Sequence, residues 1–189
     1  MGDSEEEETR SGLFFHSIRI IKEMRQHDKE LRESDQLVRS TEYPPWLRPR
    51  FTVYENVKGA LSSSGGYDFK AVIEQSIRVV EPEAPDLPMP EEGWPLDGVV
   101  YDPNGKWSIA WTIHDAQVFG VPQRRSRLVV LCDYWGLSAC EVITKCRPGR
   151  ECRPLSESVS ESLHGNFVEG GTERERTAGG IEDRPFAAG

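Results

Sequence analysis

The chain has 189 residues, of which 37% are apolar and 29% charged, and its formal charge is −9. That apolar share lies below the roughly 45–50% (glycine included) of ordinary globular domains, so one core of modest size is expected and some segments should stay outside it. The charge argues against a broad basic grip on a phosphate backbone, and no run of about 18 apolar residues is present to cross a membrane.

Taken in chain order, residues 1–9 form an acidic leader without hydrophobic pattern, expected to be disordered and unlike a positively charged signal start. A cytoplasmic protein is the corresponding expectation. Phe14, Ile18 and Ile21 recur at helical spacing, Ile20 and Met24 widen the stripe, and Ser11 is a candidate N-cap. This predicts a helix over 12–27. Residues 28–50 are charged and then proline-rich, a connecting loop. Phe51-Thr52-Val53-Tyr54 reads as a buried strand ending at Glu55-Asn56-Val57. After a loop at Ser62–Gly66, Phe69, Val72, Ile73 and Ile77 predict an amphipathic helix over 67–79. Residues 81–106 hold many prolines and acids and read as an exposed loop. Strands are predicted at 108–113 and 128–132. The order helix, strand, helix, strand, strand fits an α/β layer closing in a long-looped hairpin. The pattern collapses near residue 136, and 147–189 should hold little stable structure. Cys132, Cys140, Cys146 and Cys152 lack the close Cys-x-x-Cys pair of a zinc site, and reduced thiols are expected. No metal site is assigned.

Two features could carry chemistry. Glu55 follows a strand, and ligands of open α/β sheets bind at the carboxyl edge, where a desolvated carboxyl can pass a proton to a substrate nitrogen. It could equally be an acid that solvates a strand end or caps a turn. In Gln123-Arg124-Arg125-Ser126-Arg127, strand alternation sends Arg125 and Arg127 to one side, which suits a phosphate, a carboxylate or a base carbonyl. It could equally be a solvated basic turn. His114, just ahead of this loop, receives no role.

Together the two resemble one family. Gly120-Val121-Pro122-Gln123-Arg124-Arg125-Ser126-Arg127 and the hydrophobic strand after it resemble a loop of the DNA cytosine-5 methyltransferases. Glu55-Asn56-Val57 resembles the family's Glu-Asn-Val motif, and Arg10-Ser11-Gly12-Leu13-Phe14-Phe15 resembles the segment before it. The likeness covers about residues 10–133. It implies a partial Rossmann-like, S-adenosylmethionine-dependent methyltransferase sheet with a terminal β-hairpin over 10–135, and the start of a target-recognition region over 136–189. It also implies methyl transfer from S-adenosylmethionine to carbon 5 of cytosine in double-stranded DNA, on a base swung out of the duplex, in a setting where restriction–modification pairing is common. By the same resemblance Glu55 is the acid at ring N3, and Arg127 contacts the cytosine carbonyl oxygen. Arg125 and Gln123 support the pocket, Asn56 orients local backbone, and Leu13 borders the cofactor cleft.

The family's nucleophile lies in a Pro-Cys motif and its cofactor in a Phe-x-Gly-x-Gly loop. Here no cysteine precedes Cys132, none follows a proline, and Gly65-Gly66 carries no such pattern. A thiol in a hydrophobic strand, as at Cys132, is expected to be inert. The expectation is therefore a central piece of the enzyme, inactive alone. It would be a fragment, one half of a split enzyme whose second chain brings nucleophile and cofactor loop, or a decayed relative. A non-catalytic nucleic-acid-binding module is the alternative. A sheet without its first strands should also leave an apolar edge and face uncovered.

Overall fold

The computed structural model describes residues 10–34, 43–120 and 122–145. The acidic leader and the tail beyond 145 lie outside these residues, and so do the expectations placed on them. The first helix, α1, spans Arg10–Glu33, longer at both ends than predicted and starting ahead of Ser11. Its buried stripe begins with Phe14 and Ile18, as the spacing predicts, and continues through half-buried Ile21. It then runs through Arg25 and Asp28, 8% and 5% exposed, while Ile20 and Met24 face solvent.

That polar continuation has a job. Arg25 Nη1 donates to the carbonyls of Leu47 (2.9 Å) and Pro49 (2.7 Å), and Arg32 donates to those of Pro44 (2.7 Å) and Trp46 (2.6 Å). Asp28 accepts from the backbone N–H of Arg48 (3.0 Å) and from its Nε (2.9 Å) and pairs with Arg32 at 2.8 Å. A proline-rich segment has few N–H groups of its own, so its carbonyls bind guanidinium groups instead of a strand partner. The segment is thereby fastened along α1, including a cis Arg48–Pro49 bond.

Strand β1 spans Phe51–Val57, helix α2 Tyr67–Ile77, β2 Gly98–Tyr101, β3 Ser108–Asp115, β4 Ser126–Asp133 and helix α3 Ala139–Lys145. The strands form one sheet in the order β1-β4-β3-β2, each neighbouring pair antiparallel. The class is α/β, with the expected terminal hairpin as β3 and β4, joined through residues 116–125. β2 and α3 fall in stretches read as loop and as patternless.

One sheet face carries the main core. Ile109, Trp111, Leu128, Val130 and Cys132 pack there against Phe14 and Ile18 of α1 and Phe69, Ile73 and Ile77 of α2. Phe69, Trp94 and Trp111 meet edge to face with centroids 5.0–5.8 Å apart, an arrangement worth about 0.5–1.5 kcal/mol per pair beyond area burial. Gly98 lies against this cluster: a Cβ there would sit 2.4 Å from Trp111 Cζ2, so the close strand–indole approach requires glycine. On the opposite face α3 sets Ala139 and Ile143 on Val99, Ala110 and Leu131, a smaller second cluster.

β1 is the sheet's end strand. Among the described residues it pairs only with β4. On the α3 side its residues Phe51 (39%), Val53 (65%) and Val57 (43%) are exposed, which corrects the reading of this run as a buried strand. β propensity marks the strand, but not whether a neighbour covers it. The uncovered apolar face expected from a partial sheet is thus present beside β1.

Candidate functional site

β1 and β4 pair so that Glu55 lies opposite Val129 and Val57 opposite Arg127. Side chains of one strand alternate between faces, so Glu55 and Arg127 are diagonal neighbours on one face. Arg127 Nε stands 2.7 Å from Glu55 Oε1, and its Nη1 donates to the Ser126 carbonyl at 3.2 Å. The side chains are 56% and 30% exposed. The acid and the guanidinium singled out in the sequence are therefore in contact, at the carboxyl end of β1. Across β4, His114 of β3 stands in register with Arg127. Its place came only from the strand register, which the sequence does not display.

The loop before Arg127 is shaped by Asp115. Asp115 Oδ1 accepts the Gln117 N–H (3.0 Å), Oδ2 accepts the Ser126 hydroxyl (3.1 Å), and Ala116 N–H donates to the Arg125 carbonyl (3.1 Å). The hydrogen bond from Gln117, helped by those from Ser126 and Arg125, outweighs desolvation and holds this carboxyl below its usual range. The 3₁₀ turn Ala116–Phe119 ends at Gly120, whose φ of 81° favours glycine. This anchoring delivers Arg127 to the sheet but leaves Gln123, Arg124 and Arg125 exposed. No polar contact among the described residues joins Arg125 or Gln123 to Glu55, so the structure does not bring these two to the pair.

Asn56 points to the other face. Its Nδ2 donates to Tyr54 Oη (2.5 Å) and its Oδ1 accepts the Val57 N–H (2.8 Å). Burial raises the Tyr54 pKa above the usual phenol value. Beside it is a cavity of about 280 Å³ bordered by Phe14, Phe15, Tyr54, Asn56, Asp68 and Phe69. Leu13 is 74% exposed and does not border this cavity.

Gly65 and Gly66 do not supply a glycine cradle for S-adenosylmethionine. Gly65 and Gly66, with φ of 67° and 92°, precede α2 rather than follow a strand. A Cβ at Gly66 would meet Met89 and Trp94 at 3.0 Å, and Trp94 Nε1 donates to the Gly66 carbonyl at 2.9 Å. The space beside these glycines is filled by the core. Cys132 is a free, buried thiol whose pKa is pushed up by desolvation, which fits an inert side chain rather than a nucleophile. Cys140 is disulfide-bonded, which corrects the reduced-thiol expectation there. No group of three or more His, Cys, Asp or Glu side chains suited to a metal ion occurs among the described residues. No helix among them is long and apolar enough to cross a membrane.

No family model and no solved structure matches the chain. It is similar to a DNA N-6-adenine-methyltransferase of Escherichia phage P1, 35% identical over 106 residues that cover 46% of this chain and 13% of that protein. The chain thus spans a small part of the relative's length.

Proposed function

We propose that the chain is a segment of a DNA base methyltransferase, and that Glu55 and Arg127 form one wall of the pocket that takes the flipped-out base. The observation that carries this reading is the 2.7 Å contact between the two at one end of the sheet. The likeness to a phage DNA methyltransferase supports the same class of reaction. The substrate is then double-stranded DNA and the methyl donor S-adenosylmethionine. A second chain or segment is the proposed source of the nucleophile and of the donor site.

The finer reading is cytosine. A carboxyl and a guanidinium side by side match a ring nitrogen acceptor next to a carbonyl oxygen. Cytosine presents that pair as N3 and O2. Protonated Glu55 donates to N3 while Arg127 donates to O2, drawing electrons from the ring as it becomes reactive at carbon 5. Thymine offers N3–H, a donor, in place of the acceptor, and adenine has no carbonyl for the guanidinium. Asn56, on the opposite face, keeps the end of β1 in shape by holding the Val57 N–H. The specific observation in favour of adenine is the relative's name, which describes an N6-adenine enzyme.

The test is methyl transfer to duplex DNA, followed by identification of the methylated nucleoside. The chain alone is expected to transfer nothing. Supplemented with a segment carrying the Pro-Cys motif and the glycine loop of a cytosine-5 enzyme, it should yield 5-methylcytosine, and Glu55→Gln should remove the product while DNA binding persists. Formation of N6-methyladenine would replace the cytosine reading. A fully active Glu55→Gln variant would refute the assigned role. Salt-dependent DNA binding lost on Arg127→Ala, with no transfer under any supplement, would instead favour the non-catalytic binding module.

A further inference from the structure

A cavity of about 920 Å³ is at the other end of the sheet from Glu55 and Arg127. It opens between α1, the end of α2, the β2–β3 turn and the residues just after β4. From Arg127 to Trp135 the chain follows β4 almost end to end, so the two sites are separated by roughly 25 Å at about 3.3 Å per strand residue.

The cavity's wall is cationic although the chain is acidic. Lys22, Arg25, Lys29, Arg78 and Lys106 line it, and no carboxylate side chain does. Acids behind the wall engage some of these cations: Glu81 takes Lys106 at 2.6 Å, Asp86 and Glu74 take Arg78 at 2.5 and 3.9 Å, and Glu33 stands 3.9 Å from Lys29. Arg25 is held by the two backbone carbonyls of Leu47 and Pro49 and lies over the Tyr134 ring, 5.2 Å from its centroid. Lys22 has no ion pair among the described residues and is exposed. The carbonyls at the end of α2 accept the backbone N–H groups of Arg78, Val80 and Glu81. Trp135, 46% exposed, borders the same cavity.

Lysines reaching into a cleft supply donors to phosphate oxygens, and an exposed indole supplies a face for a base. The size suits a nucleotide, since small-molecule sites run from about 300 to 1,000 Å³. We propose that this cleft is a phosphate site for a nucleotide unit, with the phosphates on Lys22 and Lys29 and the base against Trp135. It is independent of the base pocket at the far end of the sheet. The unit could be a free nucleotide or part of a single strand, and the chemistry of recognition is the same.

The experiment titrates the full chain with ADP by calorimetry and with a fluorescein-labelled oligothymidylate by anisotropy, over a salt series. Each is run on the wild type, on Lys22→Glu/Lys29→Glu, on Trp135→Ala and on Arg127→Ala. Lys22 and Lys29 are exposed on α1, so the double variant should keep its fold, checked by circular dichroism. Binding of either probe that weakens at least tenfold in the double variant and survives Arg127→Ala supports the site. ADP alone points to a free nucleotide and the oligonucleotide to a strand. With the oligonucleotide, removing two phosphate contacts should reduce the slope of log K against log salt by about 1.4. Absence of binding by both probes, an unchanged double variant, or binding lost only with Arg127→Ala overturns the proposal. The last outcome leaves the base-pocket reading standing, and the two can therefore fail separately.

Discussion

Replacing Asp133 with Asn should be among the most damaging single polar changes in this fold. Asp133 is fully buried at the end of β4, and Arg50 reaches it with two parallel bonds, Nε to Oδ1 at 2.8 Å and Nη2 to Oδ2 at 2.9 Å. The same carboxylate accepts the N–H groups of Trp135 (3.0 Å) and Ser138 (3.2 Å), which turn the chain into α3. Arg50 is itself stacked near Trp46 and Phe51, at 4.9 and 4.6 Å from their centroids. Asn keeps one acceptor but turns an NH₂ group toward the guanidinium, leaving a largely desolvated cation without its counter-charge. Breaking one partner of a buried pair costs about 3–5 kcal/mol. With a urea slope of about 2 kcal/mol/M for a chain of this size, the midpoint should fall by about 1.5–2.5 M, followed by tryptophan fluorescence. Burial pushes the Asp133 carboxyl up, but the bonds from Arg50, Trp135 and Ser138 outweigh it and hold it below the usual carboxylate range. A carboxyl whose folded pKa is depressed contributes fully above its unfolded value of about 3.9 and loses that contribution as pH falls through the folded value. Wild-type stability should therefore drop below about pH 4, and Asp133→Asn should flatten that drop. A variant whose midpoint stays within about 0.3 M of wild type at pH 7 would refute the assignment of this pair as a main tie between β1, β4 and α3.

Gly98→Ala should lower stability by about 1–3 kcal/mol, because the new methyl meets the buried Trp111 indole and the backbone cannot retreat from β3; thermal unfolding measures this, and an unchanged midpoint would contradict the packing. Cys132 should resist iodoacetamide in the folded chain and react once urea unfolds it, since burial keeps its thiol protonated; peptide mass mapping reads the difference, and rapid native labelling would contradict its placement. Glu55→Gln should change unfolding free energy by less than about 1 kcal/mol, because its ion pair is largely solvated. A larger loss would mean that the pair serves the fold rather than a ligand.

The elements legible in the sequence are those whose apolar spacing continues for two turns or more. Phe14, Ile18 and Ile21 mark α1, and Phe69, Val72, Ile73 and Ile77 mark α2. The end of α1 beyond residue 27 escaped because its inward face has changed from hydrocarbon to charge, and a count of apolar residues cannot register a helix that buries Asp28 against a proline-rich loop. β2 escaped because its four residues sit between proline-containing stretches, and a strand so short is defined by its partner β3 rather than by its own pattern. α3 has seven residues, too few to show a period. That Glu55 and Arg127 share a site was implied by the resemblance alone, and their contact depends on the pairing of β1 with β4, which the sequence does not display. The positions of Arg125, just outside β4, and of His114, across from Arg127, depend on where β4 begins and on its register.

The exposure of β1 bears directly on what Glu55 and Arg127 can do. On the α3 side of β1 the row Phe51, Val53, Glu55, Val57 is open to solvent, so the ion pair has water on one side and apolar surface along the strand. Two unit charges about 4 Å apart attract by about 1 kcal/mol in water and by about 4 kcal/mol at an effective dielectric of 20. As it stands, with water at hand, the pair is weak. Seating a flat base or a neighbouring chain on that row would remove water from both groups at once. In the proposed pocket the acid gives a proton to a ring nitrogen while the guanidinium takes the neighbouring carbonyl oxygen. To reach that oxygen Arg127 must leave its 2.7 Å contact with Glu55. In that proposal the two side chains are coupled, because the ligand that engages Arg127 through a carbonyl is also the one that frees Glu55 for the ring nitrogen. Adenine, which has no carbonyl, would leave the guanidinium where it is, and this is how the proposed pocket would tell the two bases apart.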